Sequence, residues 1–272
     1  MYLPSSIKYV GNSAFAGCTD MTYLYFNHTA DWYDWDNSRT PIASSAFTNI
    51  GKNSEELVVV IGKDATFVHG NTFYQTGITE VIFEEGSLCT RIGGLAFAYC
   101  YSLESITFGE SINTVDYSAF ARCTALTAVH ARDLDAFCSI NYTAYAEGYL
   151  AEEGSNPLTY AKTLYYNGAP VTELVISDKV TKIGCGALYG CTSITSVYVP
   201  ASVTEIGNYA FYECTGLKSA TFAVTSGWYE HDNAEDTTKG SQIRLPTKVG
   251  NTTVPNHRVL TELDAHYYWK RY

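Results

Sequence analysis

Two groups of residues in this sequence have side chains suited to chemistry. The first is a set of eight cysteines. Five of them, Cys18, Cys100, Cys123, Cys191 and Cys214, each stand three places after a Phe or Leu. A thiol that recurs at a fixed place reads as a ladder of small, buried, weakly polar side chains. Side chains in such a ladder point the same way, which is poor geometry for a disulfide. The sequence has no Cys-x-x-Cys, and the spacing is not that of a zinc site. Cys89, Cys138 and Cys185 fall off this spacing, which leaves their redox state open.

The second group is Trp32, Tyr33 and Trp35, set among Asp31, Asp34 and Asp36. Rings stack on sugar faces while carboxylates bind hydroxyl groups, so this segment is a candidate carbohydrate platform. The alternative is that the rings fold back on the chain as a local lid. The histidines His28, His69, His130, His231, His257 and His266 are scattered, with none paired at helical spacing. His130 stands out because it alternates with Val129 on a strand and so faces outward, beside a long break in pattern. No Gly-rich phosphate loop, G-x-S-x-G or H-E-x-x-H occurs. The residues therefore point to a non-enzymatic chain with no cofactor and no metal.

These residues are positioned by a repeat. Its clearest copy is Ile206-Gly207-Asn208-Tyr209-Ala210-Phe211-Tyr212-Glu213-Cys214, followed by Leu217 and the run Ala220-Thr221-Phe222. A β-branched residue five places before an aromatic or leucine marks the phase: Val10/Phe15, Ile42/Phe47, Val68/Phe73, Ile92/Phe97, Val115/Phe120, Ile183/Leu188 and Ile206/Phe211. The steps between first members are 32, 26, 24, 23, 68 and 23 residues. The 68-residue step hides at least one degenerate copy. The stretch from Tyr2 to Phe15 matches Tyr198 to Phe211 at seven of 14 positions. A period near 23 residues means a solenoid, whose coils bury their apolar faces only against neighbours.

Within each coil, Leu103 to Phe108 alternates apolar and polar at its end, a half-buried strand. Stacked copies make a parallel sheet along one side. The following Gly (Gly11, Gly93, Gly184, Gly207) allows a bend. Asn12, Asp116 and Asn208 then sit where a cap would open one helical turn. Alternation places Tyr23, Tyr25, Glu80, Ile82, Ser105, Thr107, His130, Glu173, Val175, Tyr198 and Thr221 on the outward face.

The formal net charge of −11 disfavours nucleic acid and anionic membranes, which need basic patches. No transmembrane run or signal peptide is present. The chain begins in mid-repeat, so it is expected to be one module of a longer polypeptide. The 23 tyrosines suit a recognition surface, or simply cover the flanks of the coils.

The recurrent I-G-x-x-A-F-x-x-C blocks resemble the BspA-like leucine-rich repeats of bacterial cell-surface proteins. The resemblance covers residues 1 to about 222. It implies a β-dominated leucine-rich-repeat solenoid, a right-handed curved superhelix with a parallel sheet on one side and short helical turns on the other. The expected domains are a solenoid over 1–222, with about eight coils elongated near 27–41 and 131–168, and a cap over 223–272. A short amphipathic helix near 258–268 is expected within that cap, from Val259, Leu263 and Tyr267 at helical spacing. The resemblance also implies a secreted or surface-bound adhesion module, monomeric, that holds a host or extracellular protein. Trp32, Tyr33, Trp35, Tyr23, Tyr25, Ile82, Thr107, His130 and Tyr198 are its candidate ligand contacts. Two other readings remain: a glycan-binding module built on Trp32, Tyr33 and Trp35, and a stalk that presents another domain.

Overall fold

In a computed structural model the described residues are 1–7, 10–11, 13–28, 46–146, 155–231, 242–243, 247–249, 252–254, 260–261 and 267–272. They form a β-solenoid of about eight turns. The longest sheet has eight strands: Tyr2–Leu3, Tyr23–Phe26, Val58–Ile61, Glu80–Phe83, Ser105–Phe108, Ala128–Ala131, Leu164–Tyr166 and Ala169–Pro170. Neighbours are parallel except at the last pair, an antiparallel hairpin. Each of the first seven strands comes from a different coil, so its apolar residues pack against the same residues one coil away. Leu24, Phe26, Val59, Ile61, Val81, Phe83, Ile106 and Val129 are all fully buried, while the residues between them face solvent.

The sheet is not continuous along the solenoid. The turn Asn167-Gly168, with both residues at positive φ (50° and 77°), folds Leu164–Tyr166 back into Ala169–Pro170. A second parallel sheet then starts with Glu173–Val175, Ser196–Val199 and Ser219–Phe222. On the flank, Phe67–Val68, Arg91–Ile92, Thr114–Val115 and Asn141–Tyr142 form a short parallel ladder.

The helical turns expected on the other side take the form of tight turns. Among the described residues, those two before and two after the motif Phe or Leu have left-handed backbone. Leu95 and Tyr99 flank Phe97 at φ 58° and 61°, and Tyr209 and Glu213 flank Phe211 at 59° and 58°. Left-handed backbone is costly for residues with a Cβ. It persists here because it aims backbone N–H groups at the next coil. Leu95, Phe97 and Tyr99 donate to the carbonyls of Tyr117, Ala119 and Ala121 at 3.2, 2.8 and 2.6 Å. The short α-helices lie in the elongated repeat, at Leu134–Ser139, Thr143–Ala146 and Leu158–Ala161. Asp133 caps the first, accepting from the Ala136 N–H at 3.0 Å.

Two expected roles change. The motif glycines, expected to allow a bend, are required by close approach: a Cβ on Gly93 would collide with the Gly70 backbone, and one on Gly207 with Cys185. Asp116 caps no helix but grips the Arg91 guanidinium of the preceding coil through two hydrogen bonds of 2.8 and 2.9 Å.

The core is a file of rings. Phe15, Phe47, Phe73, Phe97 and Phe120 follow one another at centroid spacings of 5.3 to 5.4 Å. Beside it runs the thiol ladder. Cys100, Cys123 and Cys214 donate their S–H to the carbonyls of Phe73, Phe97 and Leu188 one coil back, at 3.0 to 3.1 Å. All eight cysteines are free and all but Cys18 are buried, including the off-phase Cys89, Cys138 and Cys185.

Beyond Phe222, Tyr268–Arg271 runs antiparallel between Glu205–Ile206 and Trp228–His231. Of the helix expected near 258–268, Tyr268 is therefore strand, and residues 258–259 and 262–266 lie outside those described.

Burial drives the thiols upward, Cys100 to about 11 and Cys89 to about 12, from the ordinary 9.0. They stay protonated in the fold, whereas the unfolded chain loses these protons near pH 9.0. Their contribution to stability is thus complete below that pH and is lost as pH rises through 11 and 12. A thiol reagent at pH 8 is expected to label Cys18 alone in the native protein and all eight cysteines after denaturation, counted by mass spectrometry.

Candidate interaction face

Parallel register places equivalent residues of successive coils side by side, about 4.8 Å apart. Tyr2 stands beside Tyr25, then Val60, Ile82, Thr107, His130 and Tyr165 follow in turn, one per strand. Each projects outward because the pleat sends its neighbours inward. A second outward row runs Tyr23, Val58, Glu80, Ser105 and Ala128. The first row has aromatic pairs at both ends. Tyr2 and Tyr25 stack at 4.9 Å and 6°, and His130 and Tyr165 stack at 5.0 Å and 28°.

Between Ile82 and His130 the row drops to Thr107, a small side chain. The dip is an open notch of about 480 Å³ whose lining includes Ile82, Thr107, His130 and Tyr165. Residues just past the strand ends also line it: Glu85, Glu110, Arg132, Asn167 and Gly168. Arg132 is held in place by donating its Nε–H to the Phe83 carbonyl at 2.9 Å, two strands away. Glu110 Oε2 is shielded from water and has no hydrogen-bond partner among the described residues.

The face is acidic. The Tyr25 hydroxyl donates to Glu84 Oε2 at 2.6 Å, and this bond to a carboxylate pushes the phenol up to about 12. The Ser105 hydroxyl donates to Glu80 Oε1 at 3.2 Å. His130 is held below its ordinary value chiefly by burial, which the Glu80 carboxylate partly opposes. Its imidazole is therefore neutral near neutral pH and offers an uncharged ring face. Rings, a β-branched floor and carboxylates suit binding by contact. Among the described residues no three His, Cys, Asp or Glu converge as metal ligands.

Of the residues chosen from sequence, Tyr23, Tyr25, Ile82, Thr107 and His130 share this one face. Tyr198 lies on the separate three-stranded sheet, between Val175 and Thr221. Trp32, Tyr33 and Trp35 lie outside the described residues. Sequence reasoning missed Tyr165, Arg132, Glu110 and Glu85. Carrying the register of His130 one coil further would have found Tyr165.

A family model for the BspA type leucine-rich repeat region matches residues 1–127 and 159–254, in six copies. No curated protein matches. Among solved structures, a leucine-rich repeat protein from Bacteroides ovatus is similar at 20% identity, over 83% of this chain and 63% of that one, with a TM-score of 0.36. The chain thus spans less than two thirds of that protein. A leucine-rich cell surface protein from Faecalibacterium prausnitzii is similar at 19% identity, over 82% of this chain and 78% of that one, with a TM-score of 0.30. The pneumococcal vaccine antigen PcpA is similar at 14% identity, over 78% of this chain and 62% of that one, with a TM-score of 0.35.

An NMR titration of His130 is expected to give a midpoint below 6.5. Because the fold disfavours the imidazolium, this histidine costs stability as pH falls below 6.5. Tyr165→Ala exposes the ring and is expected to move the midpoint back up.

Proposed function

We propose that this chain, which belongs to the BspA-type leucine-rich repeat family, works without catalysis by holding a macromolecular partner on its outward strand row. The observation that carries this reading is the row from Tyr2 to Tyr165, seven side chains in unbroken register. At about 4.8 Å per strand the row spans roughly 29 Å, the reach of a protein contact rather than of a small-molecule pocket. Tyrosine and histidine rings fixed by a sheet give contact area with little loss of side-chain freedom. Display at a bacterial cell surface, with a host or extracellular protein as partner, fits this reading. Among the described residues no helix is long and apolar enough to cross a membrane.

Immobilised extracellular-matrix proteins probed with the purified chain test the proposal. Saturable binding at micromolar level is expected, weakened about tenfold or more by Tyr25→Ala combined with Tyr165→Ala. Equal binding by the variant, or none by the wild type, would count against the face.

We also infer that the segment after Phe222 caps the last coil. Trp228, Tyr268 and Trp269 are fully buried there, and the Tyr268 hydroxyl donates to Glu205 at 2.5 Å. An antiparallel strand ends a parallel stack, because its own next edge need not match the repeat. Trp269→Ala is expected to cost about 3–5 kcal/mol in urea unfolding, whereas exposed Val175→Ala is expected to fall within about 0.5 kcal/mol.

A further inference from the structure

We infer that the partner of this face presents an extended basic segment, with one lysine or arginine side chain seated in the notch at Thr107. The inference rests on the interaction role proposed above and gives the partner its chemistry.

Three features converge on a cation with an apolar stem. The first is charge. Acidic side chains border the row on both sides: Glu55, Glu56, Glu80 and Glu104 line a groove of about 380 Å³ at one margin, and Glu85 and Glu110 line the notch at the other. Among the residues lining these two hollows, Arg132 is the one basic side chain. Its Nε–H is already given to the Phe83 carbonyl, which fixes it at the rim. The second is the Glu110 carboxylate. Its Oε2 is removed from water without a hydrogen-bond partner among the described residues. A carboxylate held away from water without a partner is unfavourable, and a cation seated in the adjoining notch lowers that cost through its charge. The third is shape. Ile82 and Thr107 give a floor for methylene groups, and the uncharged His130 ring, backed by Tyr165, gives a wall. Long basic side chains lay their stems on such surfaces and keep the charge at the rim, where rings and carboxylates both attract it. An acidic segment would meet like charge on both margins.

The probes are four end-blocked, fluorescein-labelled ligands read by anisotropy at about 0.15 M salt: (Lys-Thr)4, (Ser-Thr)4, (Glu-Thr)4 and the neutral sugar chitohexaose. The lysine peptide alone is expected to bind. Glu85→Gln with Glu110→Gln should weaken it at least tenfold, and Thr107→Trp, which fills the notch, should do the same. Glu213→Gln, an exposed carboxylate two places past Phe211 on the flank, should change it less than twofold. Circular dichroism confirms that each variant is folded. An equal loss in Glu213→Gln would overturn the inference, because the general negative field would then account for binding. Binding of (Ser-Thr)4 or chitohexaose that Thr107→Trp removes would also overturn it, while leaving the face as an interaction site. If matrix proteins bind through Tyr25 and Tyr165 but no lysine peptide binds, the basic partner falls and the interaction role stands. If neither binds, both fall.

Discussion

A coil of this solenoid cannot satisfy its own backbone, and nearly every other feature follows from that. Its strand finds partners only in the coils before and after it. So does the turn on the far side, where the N–H groups at and beside the motif ring bond to carbonyls of the next coil. That ladder needs alternate residues to turn left-handed, and it imposes the conformation on Leu95, Tyr99, Arg122 and Glu213 despite their side chains. An unpaired buried backbone group would cost more than the strain. The same logic explains the thiols. The carbonyls of Phe73, Phe97 and Leu188 each accept from the cysteine one coil on, and a thiol is small enough to reach them inside a packed core. In the Phe73 coil, Thr76 stands in the cysteine place and bonds the Phe73 carbonyl at 3.0 Å.

The elongated repeat tests the constraint, because it lacks the regular turn and yet the stack continues through it. Side chains take over the missing backbone partners. The Ser118 N–H donates to Ser155 Oγ, and the Arg122 N–H to the Tyr160 hydroxyl, each at 2.8 Å. On the far side, buried Asn156 donates through Nδ2 to the carbonyls of Gly186 and Ala187. The insertion therefore splices two runs of coils together. It also shapes the face. The hairpin at Asn167-Gly168 ends the first sheet just after Tyr165 has been set on His130. The notch lies where regular rows meet the splice.

The period, the strand alternation, the inward rings and the cysteine ladder were all legible in the sequence, because each depends on residue type at a fixed spacing. The outward positions of Tyr25, Ile82, Thr107 and His130 followed from alternation alone. What stayed hidden depends on backbone geometry that no residue type marks. Leu95 and Glu213 carry no sign of left-handed φ, so single helical turns were expected in their place. The glycines looked like bends, yet Gly93 and Gly207 are needed because a neighbouring coil passes too close for a Cβ. Ser155, Asn156 and Tyr160 act across 30 or more residues, beyond any local pattern. Arg132 was invisible for the same reason, since its anchor is a carbonyl 49 residues earlier.

Scaffold and outward surface are separable here because a strand has period two. Val81, Ile106 and Val129 are fixed by the core, while Ile82, Thr107 and His130 beside them stand in one outward row. Replacing an outward residue therefore changes the surface with little effect on the stack. Thr107 is smaller than Ile82 and His130 on either side of it, and the notch lies there. The charge of the notch comes from residues beyond the strand ends, Glu85, Glu110 and Arg132. Affinity on such a face comes from adding modest contacts along a rigid row rather than from enclosing a ligand.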